Sequence, residues 1–235
     1  MQKLVARYPL LLTLALAFAA PALPAQELAP DALLRAVTVK VIDILRQDQE
    51  TRTADSMKVA ALVESDIAPL FDFGRMTQLA MARNWRLATP EQQTALTREF
   101  RSLLLRTYST ALANYRGEVF ELKRLRAPPL ATEVTVRSEV EQPGKERVAL
   151  DYEMEKTPAG WKIYDVKVAG VRLVTTYRDI FAEKVRDSGV SGLIQFLADG
   201  NREGSARFNS VRRAFWEKSR LMYAIFQNLF RGGRQ

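Results

Sequence analysis

Residues 160–181 read GWKIYDVKVAGVRLVTTYRDIF, a segment that begins as a strand and ends as a helix. Trp161, Ile163, Val166 and Val168 are β-formers, and the turn signal Thr157-Pro158-Ala159-Gly160 precedes them. The apolar positions change phase between Ile163 and Val166, which puts a bulge at Asp165. Ala169-Gly170 forms a corner. Beyond it Val171, Val174, Tyr177, Ile180 and Phe181 keep helical spacing, predicting a helix over 171–186 that folds back across the sheet.

The preceding residues supply the rest of that sheet. A strand is expected over 118–126. Over 132–142, Val134, Val136 and Val140 alternate with Thr135, Arg137, Glu139 and Glu141. Pro143-Gly144-Lys145 reads as a hairpin turn. Over 147–156, Val148, Leu150, Tyr152 and Met154 alternate with Arg147, Asp151, Glu153 and Glu155. With the strand at Trp161 this makes a four-stranded antiparallel meander with one polar and one apolar face.

Helices must cover the apolar face. The first opens at Pro30-Asp31 and carries a stripe of Leu33, Leu34, Val37, Val41, Ile44 and Leu45. A short one spans 57–63. Asp72 reads as the N-cap of a helix over 73–84. Thr89, Pro90 and Gln92 form a capping box for a long helix to about residue 115, with Leu96, Phe100, Leu103, Leu104, Thr107, Tyr108 and Ala111 on its buried side. A last helix follows Gly189 over 190–198. The expected fold is α+β: one domain, with helices cupped over a curved four-stranded antiparallel sheet.

Composition narrows the chemistry. The 235 residues contain neither Cys nor His. Thiol nucleophiles, Ser-His triads and imidazole or thiolate metal sites are thereby excluded, leaving carboxylate, Lys or Tyr chemistry for any enzyme. Residues 1–25 read as a signal peptide: Lys3 and Arg7, then the uncharged run 10–20, then Ala20-Pro21-Ala22 and Leu23-Pro24-Ala25 as cleavage sites. The run falls short of the roughly 20 residues of a membrane span. The formal charge of +8 is uneven, with +2 in residues 1–25 and +6 in 204–235, so residues 26–203 are neutral. A neutral domain argues against nucleic acid as a partner.

Two blocks of sequence resemble one family. In 161–181, Trp161, Asp165, Val166, Gly170, Leu173, Tyr177, Arg178 and Phe181 are similar to the closing segment of the MlaC, or toluene-tolerance, family; Arg172 stands where relatives usually carry Ser. Upstream, Asp72-Phe73, Met76-Thr77, Trp85, the Pro90-Glu91-Gln92 helix start, and Phe100, Leu103, Leu104, Thr107 and Tyr108 resemble the same family in the same order.

The resemblance implies a cone-like, nuclear-transport-factor-2-like fold and a periplasmic phospholipid carrier that is not an enzyme. It implies phospholipid as cargo, with no cofactor and no metal. It further implies an outer-membrane lipoprotein complex and an inner-membrane MCE-domain ABC transporter as partners, with outer-membrane lipid asymmetry as the outcome. Phe73, Met76, Phe100, Leu104, Tyr108, Tyr152, Trp161, Val168, Val174 and Tyr177 are the candidate lipid-binding residues; as a pattern they read equally as plain core.

Two alternatives stay open. One is a small secreted enzyme of the same shape using Asp165 as a general base on an apolar substrate. The other is a carrier of a different hydrophobe. The domain organisation expected is a signal peptide over 1–25, the binding domain over 26–203 and a basic amphipathic tail over 204–235. In that tail Phe208, Val211, Phe215, Met222, Phe226 and Leu229 share one helical side, with Arg213, Glu217 and Arg220 on the other. Contact with a membrane surface or partner, docking on the domain, and disorder are its three readings.

Overall fold

The structure is a computed structural model that describes residues 28–50, 56–113, 117–128, 130–141 and 146–202. The expected signal peptide, the hairpin turn at 143–145 and the basic tail lie outside these residues. The helices come first: α1 (Pro30–Glu50), α2 (Ser56–Leu62), a π-helical segment (Val63–Ile67), a 3-10 turn (Ala68–Leu70), α3 (Phe73–Met81), a second 3-10 stretch (Ala82–Leu87) and α4 (Pro90–Ala113). The strands are β1 (Val119–Leu122), β2 (Glu133–Glu141), β3 (Val148–Thr157), β4 (Gly160–Val168) and β5 (Val171–Arg172). A 3-10 turn (Val174–Tyr177) then leads into α5 (Arg178–Arg202).

Local chemistry sets the helix starts. The Asp72 side chain accepts from the Arg75 backbone N–H at 2.8 Å, capping α3. At α4 the capping box is reciprocal. The Gln92 N–H donates to Thr89 Oγ1 at 3.3 Å, and the Thr89 N–H donates to Gln92 Oε1 at 3.0 Å. Gly189 adopts φ 69°, ψ −178° inside α5 and breaks it into two helical pieces, the second of which starts where the sequence places it.

The sheet is antiparallel throughout, in the order β1-β2-β3-β4-β5. Its apolar face carries Val136 and Val140 of β2, Leu150, Tyr152 and Met154 of β3, and Ile163, Val166 and Val168 of β4. The register shifts once between β3 and β4: Glu153 faces Asp165 but Met154 faces Ile163, which leaves Tyr164 as the extra residue of a bulge beside Asp165. Strand β1 is shorter than expected. Its pairing ends at Leu122↔Ser138, with one further bond from the Lys123 N–H to the Arg137 carbonyl at 2.9 Å.

The corner departs from the expected helix over 171–186. Ala169 and Gly170 both take positive φ, 48° and 82°, the conformation of a two-residue hairpin turn that matches strand twist. The chain therefore returns along β4 as a fifth strand, with Val168↔Val171 and Lys167↔Arg172 paired, and α5 starts only at Arg178. Spacing by three at Val171, Val174 and Tyr177 fits this hairpin and 3-10 turn as well as an α-helix. What decides between them is the Leu173 N–H donating to the Val166 carbonyl at 2.8 Å.

The main core lies between the sheet and α3, α4 and α5. Phe100, Tyr177 and Phe181 form its aromatic centre, with Phe100 edge-on to the other two rings at 4.9 and 5.1 Å. A smaller buried cluster of Val41, Leu45, Val59, Leu62 and Val63 belongs to α1, α2 and the π-helical segment. Among the described residues no helix is long and apolar enough to cross a membrane.

Candidate functional site

Between these two clusters the packing does not close. A cavity of about 270 Å³ lies between the apolar sheet face and the helices. Its α1 wall is the stripe Leu34, Val37, Thr38, Val41, Ile42 and Leu45, spaced by three and four so that one helix face lines the space. Val63, Ile67, Leu70 and Phe71 come from the chain between α2 and α3. Phe73 and Met76 come from α3, and Leu104, Leu105, Tyr108 and Ser109 from α4. The sheet supplies Phe120, Val140, Leu150, Tyr152, Ile163, Val166 and Val168, and the corner supplies Leu173.

The polar atoms of this lining are few and weakly reactive. Ser109 Oγ donates to the Leu105 carbonyl of its own helix at 2.6 Å. Desolvation pushes the Tyr152 hydroxyl up to about 12. It pushes Tyr108 well above its ordinary value too, with Tyr177 adding to the rise. Both rings face the cavity while their hydroxyls stay protonated. Among the described residues no group of three or more acidic side chains gathers as a metal-ligand set. Such a space suits an apolar guest held by dispersion contacts.

Of the sequence-derived candidates, Phe73, Met76, Leu104, Tyr108, Tyr152 and Val168 line this cavity. Phe100, Val174 and Tyr177 lie in the solid core behind it, and Trp161 is a half-buried residue packed against that core. The α1 wall is absent from those candidates: Leu34, Val37, Val41 and Leu45 belong to the stripe legible in the sequence as a buried face, while Thr38 and Ile42 do not. Phe120 is likewise absent from them: the strand expected over 118–126 does not distinguish a ring facing a void from one facing a neighbour.

Asp165 does not face the cavity. It lies on the outer side of β4, 1% exposed, with Oδ1 accepting from the backbone N–H groups of Val166 (2.9 Å) and Val174 (3.1 Å). Its Oδ2 takes Arg172 Nη1 at 3.2 Å. Burial pushes this carboxyl above its ordinary value, and the three donors only partly counter it. Arg172 also reaches Glu153 Oε2 at 3.0 Å, and Lys167 pairs with the other oxygen at 2.5 Å. Burial acts on Glu153 in the same upward sense, but Lys167 and Arg172 outweigh it and hold that carboxyl below its usual value. Asp165 is thus the tie that joins the bulge to the corner, and Val166 and Leu173, which it flanks, are cavity wall.

Comparison with known proteins bears on this geometry. The family model described as MlaC protein matches residues 35–199. "Toluene tolerance protein ttg2D" of Pseudomonas putida is 23% identical over 180 residues, covering 76% of this chain and 82% of that protein. A solved phospholipid-binding protein from Ralstonia solanacearum, in complex with a phospholipid, is 43% identical with a TM-score of 0.66, covering 74% of this chain and 97% of the other. An apolar cavity cupped between helices and an antiparallel sheet therefore sits within a match that spans most of the described residues, and the chain belongs to the MlaC family.

Proposed function

We propose that this protein is a periplasmic phospholipid carrier that moves lipid between the inner and outer membranes and so maintains outer-membrane lipid asymmetry. The observation that carries the reading is the apolar cavity, in a chain 43% identical to a protein solved with a phospholipid bound. Phe73, Met76, Leu104, Tyr108, Tyr152 and Val168, joined by the α1 stripe, are the residues that would contact acyl chains.

The physical need is large. A buried methylene is worth about 0.8 kcal/mol, so two ordinary acyl chains, on the order of 30 carbons, cost roughly 25 kcal/mol when exposed to water. A carrier must replace that contact without holding the lipid so tightly that it cannot be handed on. An all-dispersion lining does this, and a polar head left outside explains why no charged residue lines the cavity. The outer-membrane lipoprotein complex and the inner-membrane MCE-domain transporter are the proposed partners at the two membranes, and the 204–235 tail is proposed as a transient membrane contact.

Transfer of a fluorescent phospholipid between two vesicle populations tests the function. The chain from residue 26 should raise the transfer rate in proportion to its concentration. A rate equal to the spontaneous one at every concentration contradicts the proposal.

A further inference from the structure

Arg101 joins three elements that contribute to the cavity wall. It projects from α4, one turn before the lining residues Leu104 and Leu105. Its Nη1 donates to Glu64 Oε1 at 3.2 Å, and its Nη2 to Glu64 Oε2, a two-pronged pair. Glu64 lies in the π-helical segment, between the lining residues Val63 and Ile67. The same guanidinium lies 5.4 Å from the ring centroid of Phe73, a lining residue of α3. Phe73 in turn stacks on Phe71 at 5.8 Å, so the contact extends along the wall.

On its other side the π-helical segment is held by a second pair, Lys40 of α1 to Asp66. Lys40 and Ser65, whose Oγ donates to Asp66 Oδ2 at 2.8 Å, hold the Asp66 carboxyl below its ordinary value. Five residues of an uncommon helix type, two of them cavity wall, are thus pinned by charge to a different helix on each side. Their buried neighbours belong to the smaller cluster rather than the main core. The segment can therefore shift without opening the aromatic centre around Phe100.

Both pairs are solvent-accessible, with side chains 57% and 21% exposed for Lys40–Asp66 and 36% and 53% for Arg101–Glu64. Pairs of this kind add little to global stability and weaken as salt screens them. Their effect falls on the position of the short segment they hold.

We infer that Arg101–Glu64, with Lys40–Asp66 behind it, is a salt-sensitive latch that holds the Val63–Ile67 wall closed over the cavity and sets how fast cargo leaves. The inference rests on the reading of the cavity as a phospholipid site. Arg101 is a positioning residue, acting through the wall rather than on the lipid.

The test loads the chain from residue 26 with a fluorescent phospholipid and follows release into excess uncharged phosphatidylcholine vesicles. Glu64→Gln should release about two- to fivefold faster than the parent at low salt, the range an exposed pair of this type supports. The parent should speed up as salt rises from about 0.01 M to about 1 M, over which the screening length falls from roughly 30 to 3 Å. Glu64→Gln should respond much less. The double exchange E64R/R101E should restore slow, salt-dependent release.

Hydrogen exchange on lipid-free protein supplies a readout independent of cargo. Amides of residues 63–67 should exchange faster in Glu64→Gln, while those around Phe100 and Phe181 stay unchanged. Equal release and equal exchange in parent and variant overturn the latch. Failure of the parent to take up any phospholipid overturns the carrier reading instead, and the exchange comparison still decides the latch.

Discussion

Phe100 and Leu150 are both apolar and both face inward, yet they do different work. Phe100 is fully buried among Tyr177 and Phe181. Phe100→Ala should cost about 3–5 kcal/mol of stability, measured by denaturant unfolding, because it removes a ring from a closed core. Leu150 borders the cavity, so Leu150→Trp puts its added bulk into empty space. Its thermal midpoint should stay near that of the parent while lipid recovered per chain falls severalfold. Arg172 presents a third case. Arg172→Ser removes one of three donors from Asp165, which is buried, and should cost about 1–2 kcal/mol by the same unfolding measurement. The sequence could not separate these roles, since a hydrophobic position at strand or helix spacing has the same pattern whether it meets a neighbour or a void. Tyr108 and Tyr177 illustrate this: both look like core aromatics, but only Tyr108 reaches the cavity.

At the scale of elements, the starts of α3 and α4 were the most legible part of the chain. Asp72 and the Thr89–Gln92 pair are signals whose partners lie within three residues, so no tertiary contact is needed to read them. The strand alternation was legible for the same reason. The corner at Ala169-Gly170 was recognised as a corner, but its outcome was not. Whether Val171 starts a helix or a fifth strand depends on Asp165 and Val166, which bind the Val174 and Leu173 N–H groups across the turn. The break in α5 was legible from Gly189. Its φ of 69° with ψ of −178° is a region open essentially to glycine, and open space surrounds the position of an added Cβ. Gly189→Ala should therefore destabilise by backbone strain alone, about 1–3 kcal/mol, seen as a lowered thermal midpoint.

At the scale of the described molecule, helices and sheet enclose the apolar cavity, and the response of lipid retention to pH follows from what lines that space. The ionisable lining residues, Tyr108 and Tyr152, are both shifted upward by desolvation, Tyr152 to about 12. Each keeps its proton in the folded state at pH values where the unfolded chain, near 10, has begun to lose it. Their contribution to stability is thus complete below about pH 9 and falls as pH rises from roughly 10 towards 12. Lipid retention should be flat from about pH 5 to 9, with unfolding setting in on the alkaline side. A retention curve that bends near neutral pH would point to a titrating group at the cavity that the structure does not place there.

If the cavity is built for the acyl chains of a phospholipid, cargo should travel with the protein, and mass spectrometry of the organic extract from the chain beginning at residue 26, purified without detergent, reads it. The extract should hold about one phospholipid per chain in the parent and severalfold less in Leu150→Trp. An extract free of phospholipid, or one whose phospholipid content is the same in Leu150→Trp as in the parent, would contradict it.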